Sequence, residues 1–176
     1  MKKYSISFIL FVTIVSSLIG CTNTIRKPNP PITLTLTEPV YITAHSAQVM
    51  IQNGKIKSDM AINQYAPYCR LEMKSQKNYL RTIKPDTFVV NGISRETNYV
   101  MSDSINVASL GFMFASGVTD EIYSTTLYLR SASQPDVELI TCEWWEDPEI
   151  IGARHLTMQE IKQTLAPLIQ LKTESR

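Results

Sequence analysis

The chain has 176 residues, 44% of them apolar and 19% charged, with a formal net charge of +1. That length suits one domain, and the apolar share is enough for a single core, which excludes a disordered or low-complexity chain. The balanced charge excludes an electrostatic footprint for nucleic acid.

The chain opens with Lys2 and Lys3, followed by an apolar stretch over residues 6–19 broken only by Ser7, Thr13, Ser16 and Ser17. A membrane-spanning helix needs about 20 apolar residues, so this stretch is short for a span and fits the hydrophobic region of an export signal. It ends in Leu18-Ile19-Gly20-Cys21. This pattern resembles the lipobox of bacterial lipoproteins. The resemblance implies cleavage before Cys21, a diacylglyceryl group on its sulfur and an acyl chain on its new amino terminus. Residues 1–20 are thus expected to be a leader, and the mature body, without Lys2 and Lys3, to be nearly neutral. Several acyl chains hold far more firmly than one, so the protein is expected to be membrane-tethered at Cys21 although its body is soluble. Thr22 stands where the enterobacterial sorting pattern places an inner-membrane Asp. The resemblance therefore implies the outer membrane, with the body in the periplasm.

Residues 21–31 are expected to form the lipidated terminus and a tether. Pro28, Pro30 and Pro31 favour extended polyproline conformation, which at about 3.1 Å per residue would lift the body roughly 30 Å from the bilayer.

Residues 32–176 are expected to form one β-rich domain. Ile32, Leu34 and Leu36 alternate with threonines; Ala47, Val49 and Ile51 alternate with Gln48, Met50 and Gln52. Cys69, Leu71 and Met73 alternate with Arg70, Glu72 and Lys74, and Ile140, Cys142 and Trp144 share a face. Tyr123, Thr125, Leu127 and Leu129 alternate with Ser124, Thr126, Tyr128 and Arg130. A period of two marks half-buried strands and predicts antiparallel sheets with one wet face. Residues 88–90 and 99–101 are shorter candidates, and residues 110–114 read as a core strand or an apolar loop. Asn53-Gly54 reads as a turn, and Asn91-Gly92 as a hairpin or a bulge. The fold class is therefore all-β to α+β, an antiparallel β-sandwich or partly closed barrel with one C-terminal helix. That helix is expected over residues 157–170. Thr157-Met158-Gln159-Glu160 has capping-box spacing; Met158, Ile161, Leu165 and Leu168 form its apolar stripe; and Pro167 ends or kinks it. Residues 172–176 read as a frayed tail.

With Cys21 assigned to lipid, Cys69 and Cys142 remain as an even pair in a compartment that permits disulfides. A disulfide is expected, the alternative being two free buried thiols acting as small hydrophobes. His45 and His155 read as loop residues, since nothing in the sequence selects a serine and a carboxylate to join either. No catalytic residue, metal or cofactor is expected, because zinc spacings, phosphate loops and dinucleotide fingerprints do not occur. Tyr65, Tyr68 and Tyr79, near Arg70, Lys74, Lys77 and Arg81, read as an exposed polar face.

The segment Trp144-Trp145-Glu146-Asp147-Pro148-Glu149 is the best candidate for a contact. Adjacent residues of a strand face opposite ways, so Trp144 joins the core and Trp145 lies outside. Trp145, Glu146 and Asp147 are the candidate partner or ligand contacts, against the plainer reading of a covered Trp145 and a solvated acidic turn. The lipobox and the β-rich body together resemble small lipoproteins of Gram-negative envelopes. First among the expected functions is a non-enzymatic envelope lipoprotein that binds a protein partner or supports an envelope complex. Second is a lipoprotein holding an apolar or glycan ligand in its β domain, and third a hydrolase with an unrecognised site.

Overall fold

Alternation becomes burial along the first strand. In a computed structural model, which describes residues 24–101, 118–147 and 152–173, Ile32, Leu34 and Leu36 of β1 (Ile32–Leu36) are buried while Thr33 and Thr35 between them are half-exposed. Then come β2 (Val40–Ile42), β3 (Gln48–Gln52), β4 (Lys55–Lys57), β5 (Tyr68–Met73) and β6 (Arg81–Ile83), of which β4 is exposed throughout and β3 buried over four successive residues. β7 (Asp86–Met101), β8 (Val118–Arg130), β9 (Val137–Glu146), the C-terminal helix α1 (Met158–Leu165) and β10 (Ile169–Thr173) follow. Eight strands form one curled antiparallel sheet in the order β10-β1-β7-β8-β9-β5-β3-β4, and β2 pairs with β6 in a separate ribbon. The fold is the expected mostly antiparallel β architecture, a partly closed barrel with a C-terminal helix.

The helix closes what the sheet leaves open. It packs on β3, β5 and β10, strands from both ends of the sheet order. Its buried residues Ile161 and Leu165 join one core cluster with Leu34, Ile51, Leu71, Leu127, Ile140 and the ribbon residues Val40, Ile42 and Ile83. Burying each such Leu or Ile contributes about 1.5–3 kcal/mol. The Asn53–Gly54 turn is the expected one: both residues have positive φ and Gln52 pairs with Lys55. The Gly54 amide donates to the Thr164 carbonyl at 2.8 Å, and a Cβ on Gly54 would lie 2.0 Å from the Ala166 oxygen. Only glycine lets the hairpin and the end of the helix come this close.

Four expectations need correction. The helix does not run over residues 157–170. Its capping box is present on Thr157 and Glu160, but it ends at Leu165, because proline at 167 disfavours helix at Ala166. Residues 169–173 are not helix or frayed tail but β10, paired along β1 from Ile32–Thr173 to Leu36–Ile169. Residues 88–90 and 99–101 belong to one long strand, with a register shift between Val90 and Gly92 that makes Asn91-Gly92 a bulge rather than a hairpin. The Pro-rich stretch, finally, does not simply extend away from the body. Arg26 pairs with Ile93 on β7 through two backbone hydrogen bonds, of 2.9 and 2.8 Å. Ile25 lies over Gly92, where a Cβ would approach its Cγ2 to 2.5 Å. Between this bridge and β1, prolines 28, 30 and 31 carry no N–H for a ladder, so the chain continues along the same edge of β7 with a break. Cys21, Thr22 and residues 1–20, and the apolar run 110–114, lie outside the described residues.

Cys69 and Cys142 form a disulfide. They stand directly opposite on β5 and β9 with Cα atoms 4.0 Å apart, the close-approach type of antiparallel pair. Both are fully buried beside Ile51 and Thr125 on the same face. Among the described residues no helix is long and apolar enough to cross a membrane.

Candidate functional site

The three central strands carry a polar layer on the outer face of the sheet. Tyr68, Glu143 and Ser124 stand in one row across β5, β9 and β8, and Arg70, Thr141 and Thr126 in the next. The Tyr68 hydroxyl donates to Glu143 Oε1 at 2.5 Å, and the Ser124 hydroxyl to Oε2 at 3.1 Å. Arg70 donates to Glu72 at 2.7 Å and lies 3.7 Å from Glu143. The outer face, expected to be wet, is polar but closed over this row: Tyr68, Ser124, Thr141 and Glu143 are all buried. Tyr68, read from sequence as part of an exposed basic-aromatic face, is inside it. Burial, then the bond to Glu143, raises the Tyr68 hydroxyl far above its ordinary pKa. For Arg70, burial alone would loosen the proton, but the bond to Glu72 and the charge of Glu143 outweigh it and bind the proton more tightly. Every polar group in this layer is committed to another, so it reads as architecture that fixes β5, β8 and β9 in register.

The next row leads to the edge of this layer and to the expected contact residues. Trp145 is on the outer face, opposite Ile122, and Trp144 packs against the core with its indole N–H donating to the Arg154 carbonyl at 2.9 Å. Trp145 is half-buried. Its amide donates to the Gln64 carbonyl at 2.8 Å, so the segment ahead of β5 flanks it, and its indole N–H is buried without a hydrogen-bond partner among the described residues. Glu146 is half-exposed opposite Glu121, and Asp147 is exposed. Near them the structure places residues that the sequence reading did not assign to the contact. The Tyr65 hydroxyl donates to Asp120 at 3.0 Å, and the Tyr123 hydroxyl donates to Glu121. Asp120 raises the Tyr65 hydroxyl pKa; Glu121, then burial, raises Tyr123 to about 12. Tyr99 on β7 stands opposite Glu121 and is 59% exposed, and Tyr65 is 60% exposed. The end of the β7–β8–β9 extension is thus a two-faced rim: Tyr65, Asp120 and Asp147 lie with Trp145 on the outer face, and Tyr99, Tyr123, Glu121 and Glu146 lie on the opposite face. In the sequence Tyr99 stood only in a short candidate strand and Glu121 ahead of the alternation that starts at Tyr123, so their pairing needed the register.

His45 lies apart from this rim, and His155 borders it through the Tyr123 ring. His45 sits in a turn at φ 62, its amide donating to the Lys77 carbonyl. It lines an open groove of about 800 Å³ with Ser46, Ser58 and Asp59, but the Ser46 hydroxyl is bonded to the Gln48 backbone. His155 meets the Tyr123 ring edge-on at 5.5 Å. Burial and the nearby Arg95 charge hold its pKa below the ordinary value, so it is neutral at pH 7. Among the described residues no group of three or more His, Cys, Asp or Glu could hold a metal ion. Asp86, held at a pKa of about 2 by the Ser131 and Ser133 hydroxyls, ties the β8–β9 connection to β7. No family model matches this chain, and no match is found among the curated proteins or the solved structures.

Proposed function

We propose that this chain is a lipid-anchored envelope protein, non-enzymatic, which displays its β body to bind a protein partner or support a larger envelope complex. The lipobox ending at Cys21 supports the anchor, most simply at the outer membrane with the body in the periplasm. The observation that carries the partner reading is the rim at the end of β7–β8–β9. There Tyr99, beside Glu121 and Glu146 on one face, and Tyr65, beside Asp120 and Asp147 with Trp145 on the other, are both more than half exposed. Tyrosine and tryptophan supply contact area at low entropic cost, and the carboxylates select a basic partner surface. A ligand held inside the β body is the weaker reading, since Leu127, Ile140, Ile161 and Leu165 fill the interior at 0% exposure. The grooves of about 560, 620 and 800 Å³ lie open on the outside.

Two measurements test the proposal. Mass spectrometry of the mature amino terminus is expected to find acylated Cys21, and Cys21→Ala is expected to move the protein from membranes to the soluble fraction. A photo-crosslinker at Tyr99 is expected to capture one protein species from intact cells, while the same group at Lys162 on α1 captures none. An unmodified Cys21 would refute the anchor, and identical patterns from the two positions would refute the rim.

A further inference from the structure

The docked N-terminal segment creates a second feature, separate from the rim. Where it crosses β7 it lines an open groove of about 560 Å³ with Arg26 and Lys27 on one side and Ser94 and Arg95 on the other. Arg26, Lys27 and Arg95 are exposed, Ser94 is buried, and no acid is among the groove-lining residues. Glu96, next along β7, is the acid nearest in sequence to these cations and is itself partnered. The rim carboxylates Asp120, Glu121, Glu146 and Asp147 stand on β8 and β9 or just beyond them, away from the β7 edge where the groove lies.

The position of this groove follows from the docking. Only residues 22–25 separate Cys21 from Arg26. At no more than about 3.6 Å per residue they span about 18 Å at most. If Cys21 is acylated, its acyl chains enter the bilayer, the cysteine itself sits at head-group depth, and the groove lies within that reach. A tether of free length would make the location of the cations irrelevant. A tether pinned by the Arg26–Ile93 bridge and by Ile25 over Gly92 does not.

We infer that the groove of Arg26, Lys27 and Arg95 binds the phosphate of anionic phospholipid head groups, holding the β7 edge of the body down on the membrane that anchors it. This rests on the lipid-anchor reading above. Arginine suits the ligand because its planar fork offers paired donors to phosphate oxygens, with Lys27 as a point charge. The Debye length is about 8 Å at physiological salt, so the cations sense the surface when the short tether folds the groove down to within about half of its full reach.

The test uses the native protein, extracted with its amino terminus intact and reconstituted into vesicles of phosphatidylcholine with or without phosphatidylglycerol. A fluorophore on Asn98→Cys, an exposed position on β7, reports energy transfer to labelled lipid. Transfer is expected to rise when phosphatidylglycerol is present. It is expected to return to the phosphatidylcholine value in the variant Arg26→Gln, Lys27→Gln, Arg95→Gln. Each cation near an anionic surface contributes roughly fivefold to partitioning, so removing three shifts the docked-to-undocked ratio on the order of a hundredfold. Gly92→Val, which keeps all three cations but displaces Ile25 and with it the docked segment that carries Arg26 and Lys27, is expected to lower transfer as well. Non-reducing mass mapping of Cys69 with Cys142 checks that each variant is folded. Transfer that ignores phosphatidylglycerol, or a neutralised variant that matches the native protein, would overturn this inference while leaving the anchor intact. The same holds if free inorganic phosphate abolishes transfer equally in both vesicle types. A protein that never associates with either vesicle would defeat the anchor and this inference together.

Discussion

The two ends of the sheet make unlike use of the same strand pattern. At the end where β10, β1, β3 and β4 lie, α1 spans between strands from both flanks, the interior is aliphatic, and backbone groups are satisfied across elements, as between Gly54 and Thr164. Along β7 and β8, the strands outrun their neighbours: β1 accompanies β7 only to Val89, and past the Arg26 bridge no described strand lies on its outer side. The strand register there brings together phenols and carboxylates instead of leucines. Burial at one end supplies the stability that lets the other end carry exposed aromatic side chains.

Perturbations should therefore separate. The largest expected effect is on the disulfide. Replacing Cys69 and Cys142 together with Ala frees a loop of sequence separation 73 in the unfolded chain and is expected to cost about 4 kcal/mol in urea denaturation. Leu165→Ala, fully buried where α1 meets the core, is expected to cost about 3 kcal/mol and to leave cross-linking from Tyr99 unchanged wherever the protein remains folded. Cross-linking that collapsed with Leu165→Ala in still-folded protein would show that the two ends are coupled.

Acid sharpens the same division. Arg154, then the Thr157 amide and hydroxyl, lower the Glu160 pKa from 4.5 to about 2, and the Ser131 and Ser133 hydroxyls lower Asp86 from 3.8 to about 2. A carboxylate with a depressed folded pKa contributes stability above its unfolded value and loses it as pH falls through the folded value. Stability is therefore expected to decline between about pH 4.5 and pH 2. Glu160→Gln is expected to remove its own share of that decline, as read from denaturation midpoints across the range. Thr157→Ala, which removes the other half of the capping box, is expected to cost about 1 kcal/mol at pH 7. The smallest stability effect is expected from Tyr99→Ala, within about 0.5 kcal/mol. The same substitution is expected to weaken partner capture by about tenfold, a loss typical of an exposed aromatic anchor.

Much of this was legible in the residues. Strict alternation located β1, β3, β5, β8 and β9 to within a few positions, since one face of each must be apolar. The capping box fixed the start of α1 because it is a local hydrogen-bond pattern with its own spacing. The end of the helix misled because Leu168 keeps the helical stripe while belonging to the turn before β10, where Ile169 and Leu171 resume alternation. β2, β4 and β6 are three residues long, too short for periodicity to declare itself. The rim was half legible: Trp145, Glu146 and Asp147 stood out by composition, whereas Tyr65, Tyr99, Asp120 and Glu121 joined them only through strand pairing.

The docking of Arg26 on Ile93 divides the linker into two segments with different rules for insertion and deletion. With Cys21 lipidated as proposed, residues added ahead of Thr24 would lengthen only the leash and change the standing height of the body. Residues added between Arg26 and Ile32 would have to be absorbed by an arc whose two ends are both stitched to β7, so they would bulge sideways and leave that height untouched.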